Sequence, residues 1–90
     1  MEFEWDAAKS DRNLRERGLP FDLAPALLAR ERIEWCDIRQ PCGEVRINAL
    51  GETEGRVFFV TYTLRRGCVR IISFRKANQR ESDGYRQIIP

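Results

Sequence analysis

The spacing of apolar residues changes once along this chain. Before Ile33 it has the three-to-four-residue period of helices, and after it the two-residue period of strands. Phe3-Glu4-Trp5 alternates briefly, which predicts a short strand. Asp6 stands where an N-cap belongs and Gly18 where a helix stops, predicting a helix over residues 7–17. In that helix Lys9, Asn13 and Arg17 recur every four residues and form a solvent-facing or ligand-facing row, while Ala7, Ser10 and Leu14 form a narrow inner face. Pro20-Phe21-Asp22 opens a second helix running to about Arg30. Pro25 is tolerated there in the first turn, and Leu23, Ala24, Ala26 and Leu27 face the core.

From Ile33 onward four strands are predicted, over residues 33–38, 44–50, 56–64 and 68–75. Gln40-Pro41-Cys42-Gly43, the stretch from Gly51 to Gly55, and Arg65-Arg66-Gly67 separate them. Connections this short imply antiparallel pairing. Val57-Phe58-Phe59-Val60-Thr61-Tyr62 is the most apolar run and reads as a central strand covered on at least part of both faces. Asn78-Gln79-Arg80-Glu81 matches a capping box that starts a short last helix. The expected fold class is α+β: an antiparallel β-sheet of about four strands, two N-terminal helices and a short C-terminal helix, with residues 1–90 forming a single domain.

Ninety residues suffice for one compact core and not for two. There is no histidine, so no imidazole base and no histidine-ligated metal, and proton transfer falls to Glu, Asp, Lys, Tyr or water. Cys36, Cys42 and Cys68 are odd in number and lack C-x-x-C spacing, which argues against a disulfide framework and a zinc site. No apolar run reaches membrane-spanning length, and the start Met1-Glu2-Phe3-Glu4 is acidic where a signal peptide is basic; the expected location is cytoplasmic. Net charge is only +2, yet Arg65, Arg66, Arg70, Arg75, Lys76 and Arg80 fall within residues 65–80 with no acid among them. A polarised, arginine-rich stripe suits phosphate.

Alternation puts Glu44, Arg46 and Asn48 on one strand face, either as a solvated ion pair or as part of a site. In the next-to-last element, strict alternation puts Val69, Ile71, Ser73 and Arg75 on one side and Arg70, Ile72 and Phe74 on the other. Arg75-Lys76 adjoins the start of the last helix, whose free N–H groups also attract anions; the alternative is that these arginines only snorkel from a buried strand. Tyr85, four residues after Glu81, is either a packing residue or a proton donor.

Phe3-Glu4-Trp5-Asp6 with Lys9, Asn13, Arg17-Gly18, Phe21 and Ala24 resembles the opening of the BrnT toxins of type II toxin-antitoxin systems. Gly43-Glu44-x-Arg46, Gly51, Tyr62-Thr63 and Arg70-Ile71-Ile72-Ser73-x-Arg75-x-Ala77 with Glu81 and Tyr85 are similar to that family's later motifs. Arg17 and Phe74 depart from it, standing where the family usually has His and Ala. The resemblance implies a RelE-like ribonuclease fold, an RNA substrate, a BrnA-type antitoxin partner, and operator DNA bound only through the antitoxin complex. It also maps the family's polar positions onto Lys9, Asn13, Glu44, Arg46, Arg70, Ser73, Arg75, Glu81 and Tyr85.

Histidine-free RNA cleavage is chemically reasonable, because a ribose 2′-hydroxyl can attack the neighbouring phosphate once a carboxylate or a neutral lysine takes its proton. On this reading Glu44, Arg46, Arg70, Arg75 and Tyr85 form the catalytic set, with Glu44 as base, the three arginines as phosphate clamps, and Lys9 or Tyr85 as acid. Lys9, Asn13, Arg17, Ser73, Lys76 and Arg80 contact RNA phosphates. Neither metal nor cofactor is expected. The alternatives are a nucleic-acid-binding module that has lost activity and a domain that only binds an antitoxin.

Overall fold

The computed structural model describes residues 2–37 and 44–89. The expected turn at Gln40-Pro41-Cys42-Gly43 and the strand end at Ile38 lie outside them. The elements are β1 (Phe3–Trp5), α1 (Ala7–Arg17), a 3₁₀ turn (Phe21–Leu23) leading into α2 (Ala24–Leu28), β2 (Arg32–Cys36), β3 (Arg46–Thr53), β4 (Arg56–Arg65), β5 (Cys68–Lys76) and α3 (Gln79–Ile88). One sheet holds all five strands in the order β1-β5-β4-β3-β2.

The fold is α+β, as expected, but the sheet is mixed and has five strands. β1 lies parallel to β5, with Phe3, Glu4 and Trp5 beside Val69, Arg70 and Ile71, while the other pairs are antiparallel. A three-residue strand shows no period long enough to reveal its partner, and this one pairs across most of the chain. Strand β3 also runs through Gly51 to Thr53, so the turn expected from Gly51 to Gly55 shrinks to Glu54-Gly55. Both tight hairpins use two consecutive residues at positive φ, Glu54-Gly55 (52° and 78°) and Arg66-Gly67 (54° and 78°). That is the type I′ geometry whose twist matches the flanking strands.

The main core lies on one sheet face. Phe58, Val60 and Tyr62 of β4, Ile71 and Phe74 of β5 and Ala49 of β3 pack against Leu19, Phe21, Ala24, Leu27 and Leu28. The second helix is broken into a 3₁₀ turn and a five-residue α2, and Leu23 and Ala26, expected in the core, are exposed. Leu27 sits so close over β3 that a Cβ on Gly51 would lie 3.0 Å from its Cγ. Helix α1 starts on the Asp6 carboxylate, which accepts from the Ala8 and Lys9 amides, and ends at Gly18 in the left-handed conformation.

The inner face of α1 is polar. Ser10 and Asn13 are buried, whereas Leu14 is 49% exposed. The helix packs against backbone: the Ser10 hydroxyl accepts from the Phe21 amide at 2.8 Å, and the Asn13 amide donates to the carbonyls of Leu19 (2.7 Å) and Phe74 (2.8 Å). Phe74 lies on β5 beyond the end of its pairing with β1, so Asn13 satisfies an edge carbonyl that lacks a neighbouring strand.

Helix α3 covers only one end of the opposite sheet face, where Tyr85 packs with Leu50, Val57 and Phe59. Its start carries the predicted capping box: Asn78 accepts from the Glu81 amide at 2.8 Å, and Glu81 accepts from the Asn78 amide at 2.9 Å. Among the described residues no helix lies over the rest of that face.

Candidate functional site

A β-bulge builds the open face. Along β5, Arg75 pairs with Phe59, Ser73 with Thr61, Ile71 with Tyr62 and Arg70 with Thr63, leaving Ile72 as an extra residue. Directly paired residues share a face, so Arg70, Ser73 and Arg75 all project on the side of Phe59, Thr61 and Thr63. Ile71 and Phe74 both enter the helix-side core. This corrects the two sets expected from strict alternation, because the extra residue inverts the pattern at its own position. Across β3 the register adds Arg46 beside Thr63 and Asn48 beside Thr61, and β2 adds Trp35 beside Asn48.

The face is therefore a set of rows across the sheet. Arg46, Thr63, Arg70 and Glu4 form one, and Trp35, Asn48, Thr61 and Ser73 the next. The floor is fixed by buried polar contacts: the Thr61 hydroxyl lies 2.8 Å from the Asn48 amide oxygen, and the Thr63 hydroxyl donates to the Val45 carbonyl at 2.6 Å. The Nε of Arg46 is sealed from solvent and has no hydrogen-bond partner among the described residues, an uncompensated polar group at the floor of the face rather than a donor presented to a ligand.

The basic stripe is less bare in space than in sequence. Arg65 pairs with Glu44 at 2.7 Å, Arg70 with Glu4 at 2.7 Å, and Arg75 with Glu81 at 2.9 Å and 3.0 Å. These contacts hold all three carboxyls below the usual carboxylate range, each through a hydrogen bond from its arginine. The Arg46 charge and the Thr63 hydroxyl lower Glu44 further, which places Glu44 at the Arg46 end of the face. No ion pair involves Arg66, Lys76 or Arg80 among the described residues. Partly exposed pairs of this kind are weak, so a phosphate can take the place of a carboxylate at little cost.

Arg75 has capacity to spare. Its Nη1 donates to Glu81 and to the Lys76 carbonyl, and its Nη2 to the second Glu81 oxygen. The Nε–H and the outer Nη2–H remain for another acceptor. The guanidinium lies 4.2 Å from the centre of the Phe59 ring, which fixes its plane. Around the β5 edge, Arg17 from α1 joins Arg75 and Lys76 in lining a cleft of about 450 Å³.

Not every expected residue reaches this face. Asn13 is buried and spent on backbone carbonyls, and its amide oxygen accepts from Arg17 at 3.1 Å. Lys9 is exposed on α1, one turn before it. Tyr85 is buried under α3, with its pKa raised by that burial and by the charges of Glu52 and Glu31, at the end remote from Arg46 and Arg70. Arg80 is exposed in the first turn of α3. Sequence reasoning missed Thr61, Thr63, Trp35 and Glu4. The first two were hidden within an apolar run, and Glu4 in a motif 66 residues from its partner Arg70.

An open, arginine-bearing sheet face on a small α+β layer has the chemistry that suits phosphate groups. Residues 5–81 match the ribonuclease toxin BrnT of type II toxin-antitoxin systems, and the chain belongs to that family. It is accordingly a ribonuclease toxin with an RNA substrate and an antitoxin partner. Comparison with curated proteins gives no match. No helix among the described residues is long and apolar enough to cross a membrane.

Proposed function

We propose that residues 1–90 act as a single RelE-like toxin domain that cuts RNA without a metal on the face carrying Arg46, Arg70 and Arg75. The observation that carries this reading is the bulge at Ile72, which brings Arg70, Ser73 and Arg75 to the side of the sheet that Arg46 shares. The guanidinium groups hold the scissile phosphate. Glu44, ionised at neutral pH, takes the proton of the ribose 2′-hydroxyl. The 2′-oxygen attacks phosphorus, the bond to the 5′-oxygen breaks, and the departing oxygen takes a proton from water. On this reading water fills that role, since Lys9 stands on α1 and Tyr85 is buried under α3 at the end of the face remote from Arg46 and Arg70. The products are a 2′,3′-cyclic phosphate and a 5′-hydroxyl.

The partner on this reading is a BrnA-type antitoxin whose acidic or aromatic segment covers the same arginines, with operator DNA bound only by the complex. The test is cleavage of single-stranded RNA by the purified toxin. Arg70→Ala and Arg75→Ala are expected to lose about 10²-fold or more, as for removal of a charge-stabilising donor. Arg56→Ala, at the far end of β4, should stay within about twofold. RNA affinity should fall steeply with salt. Full activity in the folded Arg70 and Arg75 variants would overturn the assignment.

A further inference from the structure

The chain has two tryptophans, and they are placed differently. Trp5 packs against the helix-side core, whereas Trp35 stands on β2 at the border of the arginine face with 41% of its surface exposed. Its position is fixed: the indole meets the Phe59 ring edge-to-face, with centroids 5.7 Å apart and planes at 75°. The same Phe59 ring carries the Arg75 guanidinium. One phenylalanine thus props an exposed aromatic plane and a phosphate-binding cation together. Asn48 lies directly beside Trp35 in the sheet, and Arg46 is the diagonal neighbour, about 7–8 Å away across one strand and one pleat. A single nucleotide bridges that span from base to phosphate.

The edge contact with Phe59 occupies only part of the indole, and solvating the rest has no structural use on a face whose rows are otherwise Asn, Thr, Ser, Arg and Glu. We propose that Trp35 is a stacking platform for one unpaired nucleobase of the RNA, in the nucleotide whose phosphate Arg46 holds. This rests on the reading of the arginine face as the RNA site. Stacking of this kind tolerates any base, because every base has a π-face. It confines the substrate to single-stranded segments, since a paired base cannot reach the indole.

The test uses the intact chain and two uncleavable probes: a 2′-O-methyl oligoadenylate hexamer and an abasic ribose-phosphate hexamer of equal charge. The hexaadenylate should quench the wild-type fluorescence assigned to Trp35 by difference from Trp35→Phe. Trp35→Ala should bind it about 5- to 150-fold more weakly, while Trp35→Phe stays close to wild type. Trp35→Leu, which keeps an apolar group against Phe59, should match Trp35→Ala and so separates stacking from loss of fold. The abasic hexamer should bind wild type and all variants alike. Equal hexaadenylate affinity in wild type and Trp35→Leu, with a normal salt response, overturns the stacking role but leaves the phosphate face standing. Failure of the wild type to bind either probe at low salt overturns both. If Trp35→Leu instead loses only antitoxin binding, the indole belongs to the protein partner and the proposal is wrong.

Discussion

Asn13 offers the sharpest separation of structure from function, because a family-motif position expected at the RNA turns out to be buried. Replacing it with alanine removes two hydrogen bonds and strands the Leu19 and Phe74 carbonyls in the interior. An unsatisfied buried group costs about 1–3 kcal/mol, so the pair should cost about 2–6 kcal/mol. A domain of this size holds only about 5–13 kcal/mol in total. At about 4–8 °C per kcal/mol, the melting temperature of Asn13→Ala should drop by about 8 °C at the least. Circular dichroism melts give the value directly, with Lys9→Ala, exposed on the same helix, as the unchanged control. RNA binding, measured well below the melt, should be nearly that of the wild type. A melting temperature within about 2 °C of wild type, combined with lost RNA affinity, would refute the argument and return Asn13 to the ligand.

Two further outcomes follow from the packing and the ion pairs. Gly51→Ala places a Cβ 3.0 Å from Leu27 Cγ and 3.3 Å from Cδ1, and should cost about 1–3 kcal/mol by overpacking; an unchanged denaturation midpoint would mean that α2 shifts freely. Arg75 depresses the folded-state pKa of Glu81, so this carboxylate contributes stability above its unfolded value and loses it as pH falls through the lower folded one. The melting-temperature gap between wild type and Glu81→Gln should therefore hold from pH 7 down to the ordinary glutamate value of about 4.3 and close only below it; a gap that persists in strong acid would show that the pair is not its source.

Much of the fold was legible because local signals and tertiary demands agree. Asp6 and Gly18 bound α1, the run from Val57 to Tyr62 marks the buried central strand, and Asn78 with Glu81 forms the cap of α3. What escaped has one physical origin, contacts whose partner is distant in sequence. The Asn13 row read as outward because its partners are carbonyls, which carry no sequence signal. The stripe from Arg65 to Arg80 read as unpaired because Glu4 and Glu44 arrive from other strands. The arginines read as split between two faces because alternation assumes an unbroken ladder, and a bulge leaves no mark in composition.

That bulge gives the sheet two ways to be zipped. A continuous ladder would slide the segment from Cys68 to Ile71 by one position, sending Arg70 into the helix-side core and the apolar Val69 and Ile71 toward the open side. β1 pairs with the three residues on which the choice turns, Val69, Arg70 and Ile71, and Glu4 bonds Arg70 on the exposed side. The opening strand thus acts as a register lock, and a fusion or truncation that peels it away would let the zip slip and turn Arg70 off the open face, with every arginine still in the chain.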